Sequence, residues 1–325
     1  MNRSKPHISI VLCTYNRSEF LSEALDSLMA QSFGDFELIA IDDASHQRDC
    51  VEIVQDYMRS DKRIRCIQLS ENRGLAAGRN LGLAEARAPY FAMLDDDGFY
   101  GPDKLKIQYE FLQQHPSVVG CSTGLYFINR QGEITGNNSL ATNQIFPPEN
   151  SQDISRHIAN HSFMGRTEQM RAVGYRSWFS YCAEDWDLSK RLEERFSLAI
   201  LSAPLYHYRQ HQYEMTRKPL CMLYVLAAQF SARFRRLRLP DPITEGTDLW
   251  DILALAPVLH QHDLPWGKEC MDEQIRFSCN KQIQDYGNYE QAALYLRKYN
   301  QILASFPTDT PDLPPPLKLD ITPVS

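Results

Sequence analysis

The sequence predicts an α/β fold: a doubly wound, mainly parallel sheet followed by a C-terminal helical extension. Three observations predict it. From His7 to about Leu205, short β-like runs alternate with helical patterns, as right-handed βαβ units require. The β-like runs are apolar on both faces, as parallel strands covered on both sides must be. Beyond Pro219 no strand pattern remains and helical stretches dominate.

Five runs are expected to be central strands: HISIVL (7–12), FELIAI (36–41), IRCIQL (64–69), YFAML (90–94) and VVGCS (118–122). Between the first two, Phe20, Leu21, Ala24, Leu25, Leu28 and Met29 share one helical face. Asn16 with Glu19 three residues on offers that helix a capping pair. Further helices are expected over 220–237, 248–259 and 289–306, broken by LPDP (239–242) and HQHDLPWG (260–267). YEQAALYLRKY (289–299) looks like a repeat helix, but a single copy makes no repeat. The division is thus 1–218, 219–306 and a proline-rich extended tail over 307–325.

Composition narrows the partners. A net charge of −7 speaks against nucleic acid, whose backbone needs a concentrated basic face. The arginines at 233, 235, 236 and 238 are expected to form a solvated helix face. The eight cysteines are scattered without a C-x-x-C pair, fitting neither a zinc site nor a disulfide framework. A reducing compartment follows. The N-terminus has no apolar leader, and the stretch from Pro219 to Phe230 is about half a membrane span. The expected location is cytoplasmic, with at most lateral membrane contact.

In open parallel sheets, ligands bind beyond the carboxyl ends of the strands. Here three strands deliver polar clusters at that end: CTYNR (13–17), DDAS (42–45) and DDDG (95–98). Three consecutive carboxylates repel one another unless compensated. A divalent cation, Mg²⁺ or Mn²⁺, compensates them and prefers few carboxylates plus phosphate oxygens. Asp95 and Asp97 share a strand face and form a D-x-D pair. Taken alone, DDDG is equally an acidic turn capping the next helix. Ser45 fits a capping role; Asp43 can accept from a base imide N–H, and Tyr15 offers a ring for base stacking.

The segments ISIVLCTYNR (8–17), ELIAIDDAS (37–45), ENRGLAAGRNLGLAEA (71–86), YFAMLDDDGFYGPDKL (90–105) and AEDWDLSKRL (183–192) resemble the family 2 glycosyltransferases, which have the Rossmann-like GT-A fold. The likeness runs from about residue 6 to 215. It implies that Thr14, Tyr15, Arg17, Asp43, Arg79, Asp95 and Asp96 contact the donor nucleotide sugar, and that Asp95, Asp97 and His211 hold the Mn²⁺ or Mg²⁺ ion. It implies that Asp185 is the catalytic base of an inverting, single-sugar transfer. Acids at a helix start are also what the helix dipole favours, which suffices for Asp187. Arg209 is placed near the diphosphate, with His207 a weaker candidate. His161, Phe163, Glu184 and Trp186 fall on the acceptor side, facing a carbohydrate or glycoconjugate acceptor. The glycines at 74, 78 and 82 serve either donor contact or close helix packing.

The pattern departs from the family at Ala44, often Gly, and in reading DDDG where D-A-D-D is frequent. The Q-x-x-R-W motif of processive synthases is absent after Asp185. Two other readings stay open. A sugar nucleotidyltransferase needs a glycine-rich loop after strand one, where CTYNRSEF has no glycine. A catalytically inactive nucleotide-sugar binder or scaffold acting through the C-terminal helices is the second. For those helices, acceptor recognition, homo-oligomerisation and peripheral membrane contact are all open.

Overall fold

A computed structural model describes residues 5–46, 49–148, 158, 160–180, 182–211, 220–261, 268–286 and 288–306. The chain forms two compact units. The first comprises Met1–Ser180 and Glu184–His211, the second Tyr181–Ala183 and Gln212–Ser325.

The first unit is a mixed sheet with helices against it. Strands β1 (Ile8–Thr14), β2 (Phe36–Asp42), β3 (Ile64–Gln68) and β4 (Tyr90–Asp95) are parallel, with β1 between β2 and β4. Every residue of β2 is buried, and only Cys13 of β1 is not. This burial follows from their unbroken apolar runs. β3 corrects the expectation of a fifth central strand: it ends the sheet, and only Ile64 is buried.

Helix α1 (Leu21–Met29) buries Leu21, Ala24, Leu25 and Leu28. The proposed cap is not made. Phe20 occupies the N-cap position without a side-chain bond, and Asn16 Oδ1 instead accepts from His46 N at 2.8 Å. Helices α2 (Asp49–Ser60), α3 (Leu75–Glu85) and α4 (Lys104–Gln114) follow. α3 lies close on β1, and a Cβ at Gly82 would overlap the Val11 side chain. This is the close-packing role for that glycine.

The second half of the sheet departs from simple βαβ order. β5 (Phe99–Tyr100) follows β4 at once, and β6 (Val118–Ile128) is followed in the chain by two short strands, β7 (Ile134–Asn137) pairing with β6 and β8 (Gln144–Phe146) pairing with β10 (Ser197–Arg209). β9 (Met164–Arg166) inserts antiparallel between β4 and β6. β10 runs parallel to β6 and antiparallel to β5. Helices α5 (Thr167–Val173) and α6 (Glu184–Glu193) precede β10.

The second unit holds helices α7 (Cys221–Arg236), α8 (Leu249–Leu253), α9 (Ala256–Gln261), α10 (Lys268–Tyr286) and α11 (Tyr289–Ala304). α10 was not expected. The arginine cluster is not one solvated face: Arg233 is buried and Arg235 pairs with Asp241 at 2.7 Å. Cys182 and Cys221 form a disulfide, with Cα atoms 5.7 Å apart, which corrects the expectation of wholly free thiols. Among the described residues, no helix is long and apolar enough to cross a membrane. The proline-rich tail and most of HQHDLPWG lie outside the described residues.

Candidate active site

β4 ends at Asp95, the chain turns through Asp96–Gly98, and β5 begins at Phe99. Pairing of β5 with β10 sets Phe99 opposite His207 and Tyr100 opposite Tyr206. The acidic turn is thereby fixed against the strand that leads to Arg209 and His211. Glycine at 98 is required by crowding, because a Cβ there would overlap the Tyr206 ring and hydroxyl.

The three aspartates face different partners. Asp95 Oδ1 accepts from Arg79 Nη2 at 3.1 Å. Asp96 is buried and paired with Arg17. Asp97 Oδ2 meets Arg17 Nη1 at 2.7 Å and His211 Nε2 at 3.1 Å. Burial pushes the Asp96 carboxyl up to about 6, against the pull of Arg17 and with a further push from Asp97. Burial works the same way on Asp97, but the His211 hydrogen bond and the charges of Arg17, His211 and His161 outweigh it. Asp97 therefore lies below the usual carboxylate range. Burial alone would disfavour the Arg17 cation; Asp96 and Asp97 overcome it and raise its pKa.

Arg79 joins two parts of the site. It is 4% exposed, pairs with Glu184 at the start of α6, and reaches Asp95 at the end of β4. Burial raises Glu184 to about 7, with Arg79 opposing and Asp185 adding to the rise. Asp185 follows it in the first turn of α6, where its Oδ1 accepts from Trp186 N at 2.8 Å. At the end of β1, burial raises the Cys13 thiol to about 12, with Arg79 opposing and Asp95, Asp96 and Asp43 adding to it. Carboxylates at the ends of β2 and β4 thus all act on the thiol at the end of β1.

The remaining expected residues divide. The Asp43 carboxylate accepts from Arg73 N and Gly74 N at 2.8 and 2.9 Å, clamping the turn into α3. Gly74 has φ +81°, a backbone region that favours glycine. Tyr15 is exposed and its hydroxyl lies 3.4 Å from His46 Nε2. Thr14 is buried, its hydroxyl 3.5 Å from Arg17 O. Ser45 caps no helix; its hydroxyl accepts from Asn16 N at 2.9 Å. His161 packs against the rings of Tyr206 and Tyr208, 4.9 and 5.0 Å away.

Phe163, expected at the acceptor side, is buried, its ring fills the space above Gly120 and Gly165, and it lines a small cavity with Asp185. Trp186 is half-buried, with Lys190 Nζ 5.9 Å from its ring. Asp187 is fully buried and grips Arg176 and Arg191, a stronger structural role than helix electrostatics alone. His207 stacks between Phe99 and Tyr126, and burial lowers its pKa.

Arg209 is a structural cross-link. Its guanidinium pairs with Glu23 and donates to the Asp97, Asn129 and Arg130 carbonyls. The sequence carried no sign of the Glu23 partner, since no local spacing marks two charges so far apart in the chain. Among the described residues, no three His, Cys, Asp or Glu side chains converge on one point. Asp97 and His211 are together, while Asp95 is directed to Arg79.

The profile described as Glycosyl transferase family 2 matches residues 9–172. EpsE of Bacillus subtilis is 30% identical over 246 residues, covering 73% of this chain and 85% of EpsE. TuaG of B. subtilis, named for teichuronic acid biosynthesis, is 35% identical over 114 residues, covering 35% of this chain. The chain spans 45% of the length of TuaG and of other curated relatives that it matches. Among solved structures, S. aureus TarS 1-349 with UDP-GlcNAc superposes with a TM-score of 0.63 at 18% identity, covering 93% of this chain and 82% of that one. That likeness speaks for the fold. With the profile over half the sequence and EpsE matched over most of its length, the chain belongs to glycosyl transferase family 2.

Proposed function

We propose that the protein transfers a single sugar, with inversion, from a UDP-sugar to an acceptor hydroxyl in surface polysaccharide or glycoconjugate synthesis. The observation that carries this reading is the Arg79 bridge between Asp95 and Glu184, which couples the donor end of β4 to the helix bearing Asp185. The UDP and UDP-GlcNAc named in the TarS structures and the teichuronic acid named for TuaG support the donor and acceptor classes.

Asp97 and His211 would hold a divalent ion. Their carboxylate oxygen and imidazole nitrogen lie 3.1 Å apart, and two protein donors suit Mn²⁺ or Mg²⁺ that completes its shell with phosphate oxygens and water. When bound, such an ion offsets charge on the departing diphosphate. Asp43 and Tyr15 receive the base, the first through lone pairs beyond those answered by Arg73 N and Gly74 N. Arg79 and Arg17 hold the acidic groups in place. Asp185 accepts the proton from the acceptor hydroxyl as that oxygen attacks the anomeric carbon. Glu184, paired to Arg79, fixes the start of α6 and with it the base.

Thermal unfolding with a panel of nucleotide sugars, with and without Mn²⁺, tests the reading. Ligands that bind only the folded state raise its stability. UDP-sugars are expected to raise Tm more with Mn²⁺ than without. A shift by none of the panel, or by free triphosphates alone, overturns the assignment.

A further inference from the structure

The arginines at 233, 235, 236 and 238 gather at the C-terminal end of α7, yet their surroundings differ. Arg235 is answered: its Nη1 meets Asp241 Oδ2 at 2.7 Å. Asp241 Oδ1 in turn accepts from Ser231 Oγ at 2.7 Å and from Ile243 N at 3.0 Å. Arg233 has no such answer. It is 8% exposed, and its Nη1 is wholly buried without a hydrogen-bond partner. Nε and Nη2 escape that complete cover and make no hydrogen bond among the described residues, so a ligand can reach the guanidinium through them.

The charge on Arg233 is also unbalanced. α7 itself contains no Asp or Glu. Among the described residues, the charge that acts on Arg233 is a like one, from Arg236 a single turn on. Burial pushes the Arg233 pKa down to about 10, and Arg236 adds to the fall. The side chain therefore stays charged at neutral pH. A buried cation left unpaired is unfavourable, more so than an apolar side chain of similar volume in its place. The attraction of a helix C-terminus for cations reaches every arginine of the last turn and requires none of them to be buried.

An incoming anion removes the conflict. A guanidinium presents a planar fork of N–H donors that fits carboxylate or phosphate oxygens. A carboxylate brings two oxygens and one charge, which a single guanidinium matches. A phosphate monoester brings three free oxygens and a charge of about −1.5 to −2 at neutral pH, and the field of Arg236 beside Arg233 favours that second charge.

We propose that Arg233, with Arg236 one turn on, forms a phosphate-binding site at the end of α7 in the second unit. The phosphate is carried by a soluble ligand or by a lipid headgroup, the chemistry of the contact being the same.

Two measurements on the full chain test it. Thermal unfolding in inorganic phosphate, against sodium chloride at matched ionic strength, reads the soluble ligand. Co-sedimentation with phosphatidylcholine vesicles, with and without phosphatidic acid, reads the headgroup. The wild type is expected to gain Tm in phosphate. Added binding to the phosphatidic acid vesicles assigns the phosphate to a lipid, and a Tm gain without it assigns a soluble ligand. Arg233→Met keeps the volume without the charge and should raise the half-saturating phosphate concentration by about tenfold or more. Arg236→Gln, at a half-buried position, should weaken binding in the same direction and carries the test if Arg233→Met does not fold. Phosphate held at the donor site would be the same in wild type and variants, so the difference reads this end of α7 alone. A wild type that responds to neither probe overturns the proposal, as does a response unchanged in the folded variants.

Discussion

At Asp185 the proposed chemistry reduces to one proton. Asparagine keeps the shape of the side chain but cannot accept the hydroxyl proton, so Asp185→Asn is expected to retain UDP binding and lose transfer by ~10²–10⁴-fold. Calorimetric titration with UDP alongside a transfer assay checks both halves, and near-normal turnover removes Asp185 from the role. Glu184 and Asp96 bear on stability instead. Their folded pKa values, about 7 and about 6, lie above the reference values of 4.5 and 3.8. Between those limits the native state holds protons that the unfolded chain has released. Stability therefore falls as pH rises through that window. Glu184→Gln is expected to flatten the fall, read from urea midpoints at either end of it. Asp43, Asp95 and Asp97 stood out as candidates in the sequence because each follows closely on an apolar run. The pairing of Arg17 with Asp96 and Asp97 did not, since β1 and β4 must first be adjacent before those charges meet.

For the elements, burial decided what sequence could reveal. β1, β2 and β4 announce themselves as runs apolar on both faces, and α1 as a stripe. β9 is only Met164–Arg166, too short for any periodic signal, and its place between β4 and β6 depends on long-range pairing. α10 did carry a signal: Met271, Ile275 and Cys279 recur at helical spacing and are all fully buried. The polar residues around them and the preceding HQHDLPWG stretch masked it. The closeness of α3 and β1 can be tested directly. Gly82→Ala places a methyl group against Val11, and overpacking of this kind costs about 1–3 kcal/mol. A lowered denaturation midpoint with an unchanged m-value is expected. Gly82→Ala with Val11→Ala should recover part of the loss, because the overlap is removed.

On the scale of the whole molecule, the change of character near Pro219 was plain in the sequence, while the exact composition of the two units was not. Residues 181–183 belong with the helical unit although they precede α6. Isolated cysteines 39 positions apart give no pattern that would announce their pairing. Closing a loop of that length stabilises a fold by about 4 kcal/mol on the chain-entropy estimate. Thiol reductant is accordingly expected to lower the Tm of the wild-type protein and leave Cys221→Ser unmoved. The same bond has a consequence for the path of the chain. Asp185, Glu184, all of β10, Arg209 and His211 lie between Cys182 and Cys221, inside one covalent ring. A protease that nicks this ring once leaves a molecule that migrates as a single species until a reductant separates it into two fragments.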